Sequence, residues 1–223
     1  MQPWETLDTT IVPGTRTEMT LHRRGHVYSI RVGGAELMNN WVYGPDCGLA
    51  DQGCAALADP SAARVLIGGL GMGFTLARTL EHLGPAGRVV VAELVPAVVR
   101  WNEEVFGELA GHPLRDPRAS VVQDDVARLL RHGRGGYDAI LLDVDNGPEG
   151  LSRQSNDGLY GPRGLAAARS SLRPGGVLAV WSLSPDRAFS QRLERAGFVV
   201  AEQRVKGRGG RARQTIFVAR PRS

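Results

Sequence analysis

From Arg64 onward, short apolar runs alternate with segments of helical spacing. The apolar runs predict buried strands over residues 64–68, 88–92, 119–122, 137–142 and 176–182. Apolar residues with a helical period predict helices over 74–83, 96–109, 125–132, 159–172 and 186–196. Strands that alternate with helices predict a mainly parallel sheet with helices on both faces. The last apolar segments, 198–205 and 215–219, predict a closing antiparallel hairpin.

The first sixty residues follow a different pattern. Residues 17–21 and 28–32 alternate apolar and polar positions as edge strands do, a third strand is predicted over 35–38, and a helix over 49–57. We therefore expect two parts: residues 1–60, a small β-rich appendage with a lead-in helix, and residues 61–223, an α/β domain that carries the functional site.

Length and composition narrow the class of protein. No run of about 18 apolar residues is present, and the first residues have neither the basic start nor the apolar stretch of a secretory signal, so we expect a cytoplasmic protein. Cys47 and Cys54 are expected to be reduced thiols, with a disulfide left open. Because the five histidines lack ligand spacing, no metal is predicted.

The formal charge of +4 and the pI of about 9.6 raise the question of nucleic acid. The arginines are scattered, however, and only segment 204–213 is densely basic. A solvated turn accounts for that segment, and RNA binding by it remains an alternative. Nucleic acid is therefore not the expected partner.

A glycine-rich turn, GGLGMGF, follows the first strand of the α/β part. Glycine lets the backbone turn tightly and approach a ligand closely, although a tight strand-to-helix turn would need the same residues. The dinucleotide pattern G-x-G-x-x-G is not met, because Phe74 stands where the third glycine belongs. This spacing disfavours an NAD dehydrogenase.

Acidic residues follow the next three strands. Glu93 could accept hydrogen bonds from ribose hydroxyls or cap the helix near Pro96, and Asp125 could hold an adenine amino group or cap the helix after it. Asp143 and Asp145 close the series in the stretch LDVDNGPEG. Since ligands bind beyond the carboxyl ends of parallel strands, this order predicts a nucleotide-type pocket.

Five stretches carry a family resemblance, namely VLIGGLGMGFTL, VVVAELVPAVV, DPRASVVQDDVARLL, YDAILLDVDNGP and LRPGGVLAVWS. In this order they resemble the class I S-adenosylmethionine-dependent methyltransferase fold, and more closely the spermidine synthase-like proteins, its aminopropyltransferase branch. The resemblance implies a Rossmann-like, mainly parallel seven-stranded sheet with an antiparallel last strand. It also implies S-adenosylmethionine or its decarboxylated form as cofactor, and a homodimer.

Carried over position by position, the resemblance implies a set of cofactor-binding residues. These are Gly69, Gly71, Met72, Gly73, Glu93, Asp125, Val126 and Asp143. The glycines would line the methionine end, Glu93 would hold the ribose, and Asp125 with Val126 the adenine.

Two departures from the family pattern bear on the reaction. Aminopropyltransferases carry an aspartate where this chain has Met72, and the aspartate that deprotonates the attacking amine falls on Asn146 here. We therefore expect Asp143 to be the first catalytic candidate and Asp145 the second, with Asn146 orienting the acceptor. Asp145 is also a candidate substrate residue.

Tyr160 and Trp181 are candidate walls of the acceptor pocket, because an aromatic face suits a cation. Both could equally be core residues. Together these features predict a transferase that moves a methyl or other alkyl group from S-adenosylmethionine to a small, amine-bearing acceptor. The alternatives are a true polyamine aminopropyltransferase, an RNA methyltransferase and a non-catalytic adenosyl-binding scaffold.

Overall fold

A four-stranded antiparallel sheet comes first along the chain, in the order β1-β2-β3-β4. The computed structural model describes residues 2–41, 44–144, 158–206 and 213–222. The strands of the first sheet are β1 (Glu5–Ile11), β2 (Glu18–Arg24), β3 (Val27–Val32) and β4 (Ala35–Asn39). Strands β2 to β4 match the predicted ones; β1 was not predicted, because its sequence ETLDTTI is mostly polar.

A seven-stranded sheet forms the larger part of the molecule, in the order β10-β11-β9-β8-β5-β6-β7. Its strands are β5 (Arg64–Gly68), β6 (Arg88–Ala92), β7 (Ala119–Val122), β8 (Tyr137–Leu142), β9 (Leu172–Ser182), β10 (Phe198–Lys206) and β11 (Arg213–Pro221). Strands β5 to β9 pair in parallel, whereas β11 lies antiparallel between β9 and β10. This confirms the predicted fold class, including the antiparallel last strand.

Within the described residues, six α-helices cover the large sheet. They are α1 (Gly44–Cys54), α2 (Phe74–His82), α3 (Pro96–Glu104), α4 (Val126–His132), α5 (Pro162–Ser171) and α6 (Arg187–Arg195). Side chains alternate between the two faces of each strand, so β8 sends Ala139 and Leu141 into one buried cluster and Ile140 and Leu142 into another. We call the first, which also holds Leu49 of α1, the α1-side core.

The small sheet packs on that same core. Met19, Leu21 and Ile30 are buried in the α1-side core beside residues of the large sheet. A polar contact adds to this packing, since Trp101 of α3 donates its indole N–H to Asp8 of β1 over 2.7 Å. The glycine turn also lies close to the small sheet, because a Cβ at Gly71 would lie 2.7 Å from Cε of Met38 on β4.

Helix α3 ends earlier than the predicted residue 109. The Val105 and Phe106 amides both donate to the Trp101 carbonyl, and a side chain at Gly107 would collide with the Asn102 carbonyl. A short 3₁₀ turn, Gly107–Ala110, takes the place of the last helical turn. Apolar spacing alone does not reveal where the helix ends, because Phe106 stays buried as it would in a continued helix.

Helix α1 begins five residues before the predicted helix. The chain therefore places Asp46 in a first helical turn. Cys47 and Cys54, on the same helix, are free thiols, as expected. Within the described residues, no helix has the length and apolar character needed to cross a membrane.

Candidate functional site

The glycine turn occupies the carboxyl end of β5. Gly69, Gly71 and Gly73 all have positive φ angles, of 89°, 53° and 83°. A Cβ at Gly69 would collide with the carbonyl oxygen of Asp143, and one at Gly71 would lie 2.7 Å from Cε of Met38. Glycine is therefore required here by backbone conformation and by close packing, in addition to any ligand.

Glu93, at the end of β6, binds the glycine turn. The buried carboxylate accepts one hydrogen bond from the Leu70 amide over 2.9 Å and another from the Val95 amide over 2.8 Å. Val95 is the N-cap residue of α3, so the helix-capping role considered for Glu93 is present in the structure. The two bonds orient both carboxylate oxygens between the glycine turn and the start of α3.

Asn102 holds the other side of the turn, a role that the sequence did not indicate. Its side-chain amide donates to the Gly71 carbonyl over 2.8 Å and to the Val98 carbonyl over 2.9 Å. The side chain is buried, and a Cβ at Gly73 would lie 2.8 Å from its Oδ1. An asparagine in a helix carries no spacing signal, so only the fold reveals this contact.

Asp125 and Val126 lie at the end of β7. Asp125 caps α4 by accepting a hydrogen bond from the Ala127 amide over 2.8 Å, and Val126 packs near Gly68. Two apolar side chains at the ends of β6 and β7 are unusually exposed: Leu94, directly after Glu93, is 44% exposed and Val122 is 38% exposed. An apolar surface beside carboxylates suits the faces and the amino group of an adenine. Leu94 was missed, although an apolar residue directly after the acid was a usable signal.

Asp143, at the end of β8, is paired with a carboxyl that the sequence did not indicate. Thr75 donates its hydroxyl to Asp143 over 2.7 Å, and the same oxygen lies 3.4 Å from the Asp46 carbonyl. Burial raises the pKa of Asp143, with the Thr75 hydrogen bond opposing it. Burial and the charge of Asp143 raise the pKa of Asp46 well above its ordinary value. The two carboxyls therefore resist being ionised together.

The structure places the remaining candidate site residues in different parts of the molecule. Met72 is fully buried in the α1-side core, so any cofactor contact it makes is through its backbone. Trp181 lies in that same core, whereas Tyr160 lies in the cluster on the opposite face of the sheet, packed edge-on against Phe189. The two aromatic candidates thus do not share one pocket wall. Asp145 and Asn146 lie outside the described residues, as does most of the basic segment.

The described residues contain no group of three histidine, cysteine, aspartate or glutamate side chains that could hold a metal ion. What they do bring to one edge of the sheet is a glycine turn, a buried glutamate, an exposed apolar pair and a carboxyl pair. That edge is the carboxyl end of parallel strands, where ligands bind in α/β sheets.

Known proteins share part of the sequence and the fold of this chain. No family model matches the chain. It is 32% identical over 158 residues to polyamine aminopropyltransferase 1 of Streptomyces coelicolor, covering 67% of this chain and 29% of the relative. It is also 32% identical over 120 residues to putrescine N-methyltransferase 1 of Nicotiana tabacum, covering 53% of this chain and 30% of the relative.

The solved structures extend the likeness to nearly the whole chain. The crystal structure of spermidine synthase from Thermotoga maritima superposes with a TM-score of 0.77 at 16% identity, covering 96% of this chain and 72% of that one. The chain is thus similar in sequence to polyamine aminopropyltransferases and has the fold of spermidine synthase, which confirms the expected resemblance. It spans about 30% of the length of the curated relatives named above.

Proposed function

We propose that this chain is a transferase that moves a methyl group from S-adenosylmethionine to an amine nitrogen of a small, polyamine-like acceptor. The observation that carries the proposal is the carboxyl pair of Asp46 and Asp143, both half-buried residues, set against the glycine turn. The relatives support an amine acceptor, because their names cover both polyamine aminopropyl transfer and putrescine N-methylation.

The residues at the strand ends fit an adenosyl cofactor. The backbone of the glycine turn would face the methionine end, Glu93 would accept from the ribose hydroxyls, and Leu94 with Val122 would flank the adenine. When bound, S-adenosylmethionine supplies an electrophilic methyl carbon on a sulfonium, which leaves as a neutral thioether without needing an acid. The protein's task is therefore to place the nucleophile and manage its proton.

Proton transfer is the role we assign to the carboxyl pair. A polyamine nitrogen arrives as an ammonium and must lose a proton before its lone pair can attack. Asp143 is the first candidate to accept that proton, and Thr75 fixes its orientation by a hydrogen bond. As the new N–C bond forms and the C–S bond breaks, the electron pair goes to sulfur and the proton stays on the carboxyl pair.

Met72 favours methyl transfer over aminopropyl transfer. The family resemblance places an aspartate at this position in aminopropyltransferases, where it helps to recognise the cofactor's amine end. Here the side chain is apolar and fully buried, so it offers no carboxylate to the cofactor. We therefore expect a preference for intact S-adenosylmethionine, with true aminopropyl transfer as the alternative.

The test is a calorimetric titration with S-adenosylmethionine and with its decarboxylated form, followed by a transfer assay on putrescine read by mass spectrometry. We expect tighter binding of the intact cofactor and a product one methyl heavier. Tighter binding of the decarboxylated form, with an aminopropyl product, would support the alternative reaction. Binding without transfer to any amine would support a non-catalytic scaffold.

Asp143→Asn, with the exposed Asp59→Asn as control, tests the proton role. We expect Asp143→Asn to keep cofactor binding and lose about 10²-fold or more in transfer rate, as for the loss of a general base. Asp59 is exposed in the loop after the C-terminal end of α1, where its carboxylate accepts a hydrogen bond from the Ser61 amide, and its variant should keep the rate. Equal rates in the two variants would remove Asp143 from the chemistry.

A further inference from the structure

Asp143 and Trp181 are neighbours across the sheet. The last parallel pair between β8 and β9 is Leu142 with Val180, so the next residues along each strand are Asp143 and Trp181. Two residues earlier, Leu141 and Ala179 both belong to the α1-side core. Since side chains alternate along a strand, Asp143 and Trp181 face the same side, toward α1.

Gln214 on β11 lies on the same face of the sheet as Asp143 and Trp181, and we call these three residues the row. Ile216 of β11 pairs with Trp181, and Gln214 stands two residues before Ile216 on the same face. Such a diagonal neighbour lies about 7–8 Å away between α-carbons, within reach of a long side chain. Because β11 runs antiparallel, its beginning lies at the carboxyl edge of β8 and β9. Helix α1, whose first turn holds Asp46, packs on these strands.

Two polar groups in this row are buried without partners. Within the described part of the chain, neither the indole Nε1 of Trp181 nor Oε1 of Gln214 makes a hydrogen bond. The side chains are only 9% and 8% exposed. Buried polar groups are hydrogen-bonded in the great majority of cases, so an unpaired donor beside an unpaired acceptor needs an explanation.

We propose that Trp181 and Gln214, together with Asp46 and Asp143, form the acceptor pocket, and that the acceptor is an amine that also carries an uncharged hydrogen-bond-accepting group, as an amino alcohol does. The inference rests on the proposed function and names the substrate class of its site. The amine N–H groups are held by the carboxyl pair and by Oε1 of Gln214. The indole N–H of Trp181 donates to the acceptor's oxygen.

The chemistry of the row favours such an acceptor over two simpler ligands, which it binds more weakly. A plain diamine presents a second ammonium, which has no lone pair for the indole N–H to donate to. An amino acid presents a carboxylate, which Asp46 and Asp143 repel. A hydroxyl or an amide oxygen has a lone pair and no net charge. It can therefore accept the hydrogen bond from the Trp181 indole without being repelled by the two carboxyls.

Three amines with the same four-carbon chain test the proposal: 4-amino-1-butanol, butylamine and putrescine. Each is titrated by calorimetry into the full chain saturated with S-adenosylhomocysteine. We expect 4-amino-1-butanol to bind about tenfold or more tightly than butylamine, which lacks the oxygen, and more tightly than putrescine. Equal affinities for 4-amino-1-butanol and butylamine overturn the proposal.

Substitutions test which residues produce the preference for 4-amino-1-butanol over butylamine. Trp181→Phe removes the donor to the acceptor's oxygen, and we expect it to reduce the preference for the alcohol to within about threefold of none. Gln214→Leu removes an acceptor for the amine N–H, and we expect it to weaken the binding of 4-amino-1-butanol and butylamine by the same factor. Thr215→Val is the matched control: Thr215 is equally buried on β11, its hydroxyl has no partner among the described residues, and it faces the opposite side of the sheet. It should keep the full preference.

The outcomes separate this inference from the proposed function. If the protein binds no S-adenosylhomocysteine, the proposed function fails and the inference fails with it. If the nucleoside binds and amines bind without discrimination, or if Trp181→Phe keeps the alcohol preference, only the inference fails. Thermal unfolding of each variant shows whether a lost preference reflects a lost fold.

Discussion

Glu93→Gln tests whether one carboxylate both holds the glycine turn and binds the cofactor. In the wild type the two carboxylate oxygens accept from the Leu70 and Val95 amides over 2.9 Å and 2.8 Å, and the side chain is 7% exposed. Glutamine keeps the shape but replaces one oxygen with an NH₂ group. One buried backbone N–H then faces a donor and loses its partner.

The expected destabilisation follows from that loss. A hydrogen bond to a charged group contributes about 1.5–3 kcal/mol, and leaving a buried donor unsatisfied costs about 1–3 kcal/mol; because these overlap, we expect about 2–3 kcal/mol in total. For a chain of this length each kcal/mol lowers the melting temperature by about 2–4 °C, so the variant should melt roughly 4–12 °C lower.

Thermal unfolding by circular dichroism measures the first effect, and calorimetric titration with S-adenosylmethionine measures the second. The exposed Glu103→Gln on α3 is the control, and its unfolding free energy should stay within about 0.5 kcal/mol of the wild type. A melting temperature within about 2 °C of the wild type would refute the structural reasoning. A destabilised variant that keeps full cofactor affinity would leave Glu93 as a helix cap and refute the ribose contact.

Two further predictions concern charge. Burial and Asp143 raise the pKa of Asp46, so the folded state binds this proton more tightly than the unfolded state, and stability falls as pH rises through the folded pKa. Asp46→Asn should therefore raise the urea midpoint at pH 8, with a gain that shrinks toward pH 4; an unchanged midpoint at pH 8 would contradict the pairing. Hydrogen bonds from Trp101 and Arg100 lower the pKa of Asp8, so its contribution is present at neutral pH and lost as pH falls. Asp8→Ala should cost about 1–2 kcal/mol at pH 7 by urea unfolding, because the buried indole N–H loses its partner, and an equal cost at pH 3 would argue against this account.

Periodicity was sufficient for the central strands of the large sheet because they are buried on both faces. Runs such as RVLIG and YDAILL are apolar after their first one or two residues, as a parallel strand covered on both faces requires. A glycine or an acidic residue marks the end of each run. The same rule did not detect β1, since its residues Glu5–Ile11 lie mostly at the surface of an antiparallel sheet. Its pairing with β2 is a tertiary contact that local composition does not encode.

The positions of the acidic residues and glycines at the strand ends could be predicted for the same reason. Gly69, Glu93 and Asp143 each follow a strand directly and Asp125 comes three residues after one, and the parallel topology brings all four to one edge of the sheet. The structure adds what each of them already binds: Glu93 and Asp125 hold helix N-termini, and Gly69 packs on the Asp143 backbone.

What only the tertiary structure decided is which side chains meet across elements that are far apart in the chain. Asp46 approaches Asp143 because α1 begins earlier than its apolar period indicates and packs across the strands. Trp181 and Gln214 share a row because β11 is inserted antiparallel beside β9. Register and helix packing are set by the whole core, whereas the sequence by itself determines only where each strand ends and which groups stand there.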